Sequence, residues 1–246
     1  MDCQGAPVPE MPSVAVVLVN FNGWRDTVEC VDSLLAQEYP NFHVFVVDND
    51  STDGSFEHLT RWCDEPCGGV GWAALPTVGR RSASHSGQPI GFRTAQRSDG
   101  ALPRPATTCR LTIVRSGANL GFAGGCNVGM VAAGLGQFDY FWLLNTDTVV
   151  ERRSLRALVE RAVCDPEIGM TGSTIRYYDR PNVIQAMAGA RLDARTVTAR
   201  HIGEGLPVGA ELAPAGCVEQ ELAYIMGASM LVSQRFVVDV GLMQED

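Results

Sequence analysis

Long hydrophobic runs are missing from the sequence, although 46% of its 246 residues are hydrophobic. No run approaches the roughly 18–20 apolar residues that a transmembrane helix needs. The first twelve residues, MDCQGAPVPEMP, have neither a basic start nor an apolar core, so they do not resemble a signal peptide. We therefore expect a cytoplasmic protein, and peripheral contact with the inner face of a membrane is left open. The apolar content is sufficient for one large α/β domain.

Positive charge is also scarce. The chain has 19 Lys and Arg residues against 28 Asp and Glu residues, which gives a net charge of -9. Proteins that bind nucleic acid normally present a basic surface to the phosphate backbone. We therefore expect no nucleic-acid partner.

Cysteine and histidine pairs at metal-binding spacing are absent. None of the eight cysteines forms a CxxC pair, and the four histidines show no metal-ligand spacing. Cys63, Cys67 and Cys109 lie in or beside an irregular region, where a zinc site or a disulfide is an alternative. We expect reduced cysteines without a metal, as is usual in the cytoplasm.

What the sequence does contain is an alternation of strand and helix patterns. Residues 14–19 and 42–47 are continuous apolar runs, which are typical of strands buried on both faces. Apolar residues at helical spacing follow the first run, and a second helix is predicted at about residues 55–61. Two more strands are expected at residues 110–114 and 140–144, and one more helix at residues 153–163. This order predicts a parallel sheet with right-handed crossovers, followed by shorter strands and a last helix.

Residues 61–110 interrupt the alternation. They are rich in Gly, Ser, Pro and Arg and show no sustained period. A loop of this length is unusual inside a compact domain, so we interpret the segment as an irregular, partly disordered insertion. Its arginines could contact a phosphate or a membrane, although a solvated loop is more common. Its low apolar content predicts that the insertion is dispensable for folding.

Polar residues follow each of the four long strands, at the edge where ligands of such sheets bind. The first strand is followed by Asn20 and Asn22, and the second by Asp48. The third is followed by the glycine-rich residues 116–127. The fourth runs into Asn145 and Asp147. The sequence therefore predicts a ligand site at this edge.

Asn145 and Asp147 would point to the same side if the chain were extended. A carboxylate beside an amide oxygen suits a hard divalent cation whose other ligands are water and phosphate. The alternative is that Asp147 caps the following helix. The polar groups at the same edge favour the metal.

Asp48 and the glycine-rich segment at this edge could each have either a ligand-binding or a purely structural role. Asp48 could accept hydrogen bonds from a base or a ribose, or could cap the turn that follows it. The backbone amides of the glycine-rich segment could approach an anion at a helix start, or the glycines could simply allow a tight turn. The segment is neither GxGxxG nor a P-loop, so a dinucleotide fold is only weakly indicated.

Taken in order, several segments resemble a known family. They are VAVVLVNFNG, VVDNDSTDGS, NLGFAGGCNVG, LLNTDTVV and YIMGASMLVSQRFVVDVGLMQED. Together they resemble family-2 glycosyltransferases of the GT-A fold, especially the rhamnosyltransferase-like bacterial branch. The resemblance covers nearly the whole chain except residues 61–110.

The resemblance implies one GT-A domain over residues 1–246. The fold would be a Rossmann-like, mostly parallel sheet with helices on both faces and a smaller, mixed acceptor-side sheet. Residues 13–150 would form the nucleotide-sugar-binding half, with the insertion at 61–110. Residues 151–246 would form an incomplete acceptor-side half. The implied activity is sugar transfer with inversion, in bacterial polysaccharide or glycan synthesis.

The resemblance also implies ligands and site residues. The donor would be a nucleotide-diphosphate sugar, the cofactor Mg²⁺ or Mn²⁺, and the acceptor a glycan or a lipid-linked glycan. Asp147 would hold the metal, with Asn145 in place of the first Asp of the family's DxD motif. The acceptor side would include Gly227, Ala228 and Ser229. The nucleotide contacts would be Val19, Asn20, Asn22, Asp48, Asn119, Gly121, Asn127 and Asn145.

The family's catalytic base would fall after Asp246, because Glu245 and Asp246 match the segment that precedes it. We therefore expect a truncated chain that binds donor but transfers sugar poorly. One alternative is a nucleotide-sugar-binding fragment without turnover. Another is a sugar nucleotidyltransferase, which should carry basic residues in a glycine-rich loop after the first strand. Only Arg25 is found there.

Overall fold

The computed structural model of the chain describes residues 11–65, 90–105, 108–210 and 214–245. It contains a seven-stranded sheet in the order β3-β4-β2-β1-β5-β12-β6, and two smaller sheets, β10-β9-β11 and β7-β8. The strands are β1 (Val14–Asn20), β2 (Phe42–Asp48), β3 (Phe92–Gln96), β4 (Leu111–Arg115), β5 (Tyr140–Leu144), β6 (Met170–Gly172), β7 (Thr174–Arg176), β8 (Ile184–Met187), β9 (Gly189–Asp193), β10 (Thr198–His201), β11 (Tyr224–Ile225) and β12 (Ser229–Ser233).

Six α-helices are described, and five of them cover the two faces of the large sheet. The six helices are α1 (Trp24–Leu35), α2 (Ser55–Asp64), α3 (Gly121–Ala133), α4 (Ser154–Val163), α5 (Ala215–Glu221) and α6 (Gln234–Val240). Apolar residues of α1, α2 and α4 pack on one face, and those of α3 and α6 on the other. None of the described helices is both long enough and apolar enough to cross a bilayer.

The first five strands of the large sheet run parallel, while β12 pairs antiparallel with both β5 and β6. Every residue of β2 is buried, as its continuous apolar run predicts. The predicted fold is therefore confirmed: a mostly parallel sheet with helices on both faces and smaller sheets beside it. The smaller sheets are antiparallel rather than mixed.

Residues 61–110 are not irregular throughout, so the prediction of an irregular insertion is wrong. Helix α2 continues to Asp64, and β3 is a parallel edge strand paired with β4. Ile90 and Ala95 are buried in the core. The sequence FRTAQ gave no apolar pattern because an edge strand buries few of its side chains. Residues 66–89, 106–107 and Cys67 lie outside the described residues.

The described cysteines are free thiols, including Cys63 and Cys109. Burial raises the pKa of Cys30, Cys63 and Cys126 to about 12, so these thiols are protonated at neutral pH. Within the described residues, no group of three or more Cys, His, Asp or Glu side chains could hold a metal.

Candidate functional site

A row of polar residues crosses the carboxyl edge of the large sheet. Asn20 of β1 is in register with Asp48 of β2, and Asp48 with Arg115 of β4. Arg115 is in turn in register with Gln96 of β3. Side chains at paired positions of parallel strands leave the sheet on the same face. The topology therefore places four polar side chains side by side.

Asn20 positions Asp48 rather than facing a ligand. Its side chain is fully buried, and its amide nitrogen donates to Asp48 Oδ1 at 3.1 Å and to Ser51 Oγ at 3.1 Å. Its amide oxygen accepts from Thr27 Oγ1 at 2.8 Å. The direct nucleotide contact of Asn20 stays a prediction, and the structure shows its side-chain nitrogen and oxygen bonded to protein groups. Asp48 Oδ2 has no hydrogen-bond partner among the described residues, so it can accept from a ligand.

Asn22 joins the loops that follow β1 and β2. It has a left-handed backbone with φ of 54°, and its side-chain oxygen accepts from the backbone nitrogen of Thr52 at 2.8 Å. Its own backbone nitrogen donates to Ser51 Oγ at 3.0 Å. These two bonds fix the loop between the neighbouring strand ends, directly beside Asp48.

A cavity of about 260 Å³ opens beside Asp48. Arg115 Nη2 donates to Glu57 Oε1 at 2.7 Å, and its guanidinium lies 3.8 Å from the centre of the Phe56 ring. Both interactions hold Arg115 in place at the cavity wall. The lining residues are Asp48, Asp50, Ser51, Phe56, Glu57, Gln96, Arg115 and Gly117.

Sequence reasoning missed Arg115 and Gln96. Arg115 directly follows the apolar run LTIV, at the same position relative to its strand as Asp48. That position was a usable signal. Gln96 had none, because β3 lies in the segment interpreted as an insertion.

The loop between β4 and α3 is held by Asn49, which is buried. Its amide nitrogen donates to Asn119 Oδ1 at 3.0 Å and to the carbonyl of Gly121 at 3.1 Å. Its oxygen accepts from the backbone nitrogen of Leu120 at 3.2 Å. Asn119 and Gly121 thus lie at the carboxyl edge, and Gly121 adopts a left-handed φ of 67° that favours glycine.

Helix α3 also needs glycine to approach the sheet closely. A Cβ atom at Gly125 would lie 2.5 Å from Val19 Cγ1, which is too close for any side chain to fit. Val19 therefore contacts α3 rather than standing free at the edge. For Gly125, the structure supports the packing reading of the glycine-rich segment.

The side-chain amide of Asn127 is bonded to residues near the end of the described chain. It is buried, its nitrogen donates to the Met243 carbonyl and to Glu245 Oε1, both at 2.8 Å, and its oxygen accepts from the Met243 backbone nitrogen at 3.0 Å. Its assignment to the nucleotide, like that of Asn20, stays a prediction. Asn127 anchors residues 243–245 against α3. Asp246 lies outside the described residues.

Asp147 lies on a turn after β5 and is exposed. It makes no hydrogen bond to any described residue. Helix α4 begins at Ser154, and its N-terminal cap position is Arg153. The helix-cap alternative for Asp147 is therefore wrong. The chain also turns at residues 146–147 rather than staying extended, so strand geometry does not align Asn145 with Asp147.

The predicted acceptor segment lies directly beside this turn. The backbone nitrogen of Asn145 donates to the carbonyl of Ala228 at 3.1 Å, and Ser229 is in register with Leu144. Ser229 is buried, and its hydroxyl accepts from the Trp142 indole nitrogen at 2.9 Å. Gly227 precedes these residues at the same edge. The structure therefore brings residues 227–229 and 145–147 together.

The turn after β5 fits a divalent cation that is held by a single protein carboxylate and completed by water and substrate phosphates. Asp147 supplies one exposed carboxylate with no protein partner among the described residues, and the amide of Asn145 is close in sequence. Magnesium and manganese sites of this kind use one or two carboxylates and take their other ligands from water and substrate phosphates. A cage built from the described protein groups alone does not fit.

Comparisons with known proteins bear on the family and on the fold. Residues 15–70 match the sequence model of the family described as Glycosyl transferase family 2. A search of curated proteins found no match. The fold is that of GT-A glycosyltransferases, and two solved structures share it.

One is the mannosyltransferase PcManGT from Pyrobaculum calidifontis in complex with GDP-Man and Mn²⁺, with a TM-score of 0.52 and 17% identity. The match covers 95% of this chain and 48% of that one. The other is S. aureus TarS 1–349, with a TM-score of 0.50 and 13% identity, over 92% of this chain and 48% of that one. The chain thus spans about half the length of each.

Proposed function

We propose that this chain is a family-2 glycosyltransferase that moves a sugar from a nucleotide-diphosphate sugar to an acceptor hydroxyl. One observation carries the proposal: the cavity beside Asp48 and the exposed carboxylate of Asp147 lie at the same edge of a GT-A sheet. The family-2 match over residues 15–70 includes β1, β2 and Asp48 and supports the same reading. The rhamnosyltransferase-like branch remains part of this proposal.

The donor would bind with its base in the cavity and its diphosphate toward Asp147. Asp48 Oδ2 and the Arg115 guanidinium are charged groups at the strand ends that line the cavity, and Asp50 and Glu57 add carboxylates to its wall. The loop after β1, which contains Asn22, follows the strand that lies between β2 at the cavity and β5 at the turn. PcManGT, which shares the fold, forms a complex with GDP-Man and Mn²⁺, and this supports a nucleotide-sugar donor and a divalent metal for this chain.

Bound Mg²⁺ or Mn²⁺ would supply positive charge where the leaving diphosphate becomes more negative. Asp147 would hold the cation, and Asn145 would orient the turn through its bond to Ala228. The acceptor, a glycan or lipid-linked glycan, would approach beside residues 227–229. Direct attack of its hydroxyl on the anomeric carbon would invert the configuration, as the bond to the nucleoside diphosphate breaks and the hydroxyl proton passes to a general base. We place the protein in bacterial polysaccharide or glycan synthesis, in the cytoplasm or at the inner membrane face.

Isothermal titration tests the donor site without requiring turnover. The chain should bind UDP, dTDP or GDP in the presence of Mn²⁺, and binding should weaken when the metal is chelated. Asp147→Asn should remove most of the metal-dependent part, because the only carboxylate at the turn is lost. Asp165→Asn is the matched control, because Asp165 lies beyond the far end of α4.

Release of nucleoside diphosphate with a supplied acceptor would then test transfer. Failure to bind any of the three nucleotides, or binding indifferent to the metal and to Asp147→Asn, would overturn the proposal.

A further inference from the structure

The added edge strand β3 brings a third side chain to the cavity wall. Through its register with β4, Gln96 lies next to Arg115, which lies next to Asp48. All three residues line the cavity. Across these three strand ends, the wall therefore carries a carboxylate, a guanidinium and an amide in that order. The other polar residues that line the cavity are Asp50, Ser51 and Glu57.

The amide of Gln96 is oriented by a local hydrogen-bond pair. Its side chain accepts from the backbone nitrogen of Asp99, and its own backbone nitrogen donates to Asp99 Oδ2 at 2.8 Å. Only the amide oxygen can accept from a backbone N–H. The side-chain nitrogen of Gln96 is thereby left as a donor at the cavity wall.

The other two groups are also held. Asn20 donates to Asp48 Oδ1, which leaves Oδ2 as an acceptor. Glu57 binds Arg115 Nη2, and Phe56 supports its guanidinium plane, which leaves other guanidinium N–H groups to donate. The cavity wall thus presents an acceptor, a donor and a second donor in sequence.

We propose that this row selects guanine as the base of the donor nucleotide, with Gln96 as the specificity-determining residue. The inference rests on the proposed function. The edge of guanine presents N1–H and N2–H₂, then O6, then N7. Asp48 would accept from the N–H groups, Arg115 would donate to O6, and Gln96 would donate to N7.

The other bases match the row less well. Uracil and thymine share the N–H and carbonyl, but the next atom on that edge is C5, which cannot accept from Gln96. Adenine could donate its N6–H₂ to Asp48, but each of its edges offers only one acceptor next to that group, N1 or N7, so Arg115 or Gln96 would stay without a partner. Cytosine could match all three groups, but its O2 lies next to the glycosidic nitrogen. Its ribose would then point toward β3 and away from Asp147.

The test compares GDP, UDP, dTDP, CDP, ADP and 7-deaza-GDP by titration in the presence of Mn²⁺. GDP should bind tightest, and loss of N7 in 7-deaza-GDP should weaken binding by about 3- to 10-fold, the usual range for one hydrogen bond. Gln96→Glu keeps the acceptor for Asp99 and replaces only the donor. In this variant, GDP should lose its advantage over 7-deaza-GDP. Gln220→Glu, on α5, is the matched charge control and should leave the ratio unchanged.

Four outcomes would overturn the inference. UDP, dTDP, CDP or ADP binding tighter than GDP would show that the row does not select guanine. Equal GDP and 7-deaza-GDP affinities in the unmodified chain would show that Gln96 does not read N7. Equal affinity for all bases would refute the inference and leave the donor site standing, whereas no binding of any nucleotide would refute the proposed function as well.

Discussion

His43 of β2 should make the stability of the fold depend on pH, because its buried ring bonds to the neighbouring strand β4. The residue is 4% exposed. Its Nδ1 lies 3.1 Å from the Cys109 carbonyl, and its Nε2 lies 2.7 Å from Thr112 Oγ1. Since a carbonyl only accepts, Nδ1 carries the proton, and the neutral Nε2 can accept from the threonine hydroxyl. The neutral ring is thus fully hydrogen-bonded inside the core.

Protonation of His43 in the folded chain is unfavourable. Burial is the largest cause, followed by the positive charge of Arg93 on β3, and together with Arg110 these lower the pKa to about 3. In the unfolded chain the pKa returns to about 6.5. Below that value the unfolded state takes up a proton that the folded state does not, so stability falls as the pH drops from about 6.5 toward 3.

The loss at pH 5 follows from these two values. Protonating a free imidazole of pKa 6.5 stabilises the unfolded state by about 2 kcal/mol at pH 5, while the folded state gains almost nothing. Urea unfolding of the unmodified chain and of His43→Gln at about pH 8 and pH 5 measures this difference. The variant has no titrating side chain at position 43. The carboxylates change the free energy of unfolding equally in both proteins, so they cancel in the comparison.

The unmodified chain should therefore lose about 2 kcal/mol more than His43→Gln over this interval. Equal losses in the two proteins would mean that His43 is protonated in the fold. The placement of β3, with Arg93, beside this end of β4 would then be refuted.

Other substitutions test other parts of the structure. Asn20→Ala should cost about 1–3 kcal/mol in urea unfolding, because Asp48 and Thr27 lose a buried partner. Nucleotide affinity should fall as well, and an unchanged affinity would contradict the positioning role. Gly129→Ala should cost about 1–3 kcal/mol, because its Cβ would overlap Val17 in the core. A neutral result would show that α3 lies farther from the sheet. Replacing residues 90–105 by a short linker should lower the thermal midpoint clearly, and an unchanged midpoint would show that β3 is dispensable after all.

The parallel core was predictable because its signals are local. The apolar runs of β1 and β2 and the polar residues at their ends sit at fixed offsets, and sheet geometry then brings those ends together. Asp48 and Asp147 could be located in this way. The separation of Asp147 from α4, which removes the helix-cap reading, depends on where the helix begins and was not visible in the sequence.

The hydrogen-bond partners of the buried amides could not be predicted either, because they depend on the three-dimensional fold and not on local sequence. Asn20 and Asn127 look like exposed loop asparagines in sequence, yet each satisfies its amide with groups far along the chain. Asn127 bonds to residues 116 and 118 positions away. Burial of a polar side chain requires such partners, but composition and spacing do not name them. Gln96 was missed because an edge strand carries too little apolar signal.

The order of the strands also sets a minimum length for a ligand that reaches from the cavity to Asp147. The cavity lies at the ends of β2, β4 and β3, whereas Asp147 follows β5, on the other side of β1. At about 4.8 Å per strand, two to three spacings put roughly 10–14 Å between the cavity and the turn that carries Asp147. A base and ribose held in the cavity need a further extended, charged group to reach that carboxylate through a cation. A diphosphate provides this reach better than a single phosphate, which is why the proposed donor is a nucleoside diphosphate sugar rather than a sugar carried on a nucleoside monophosphate.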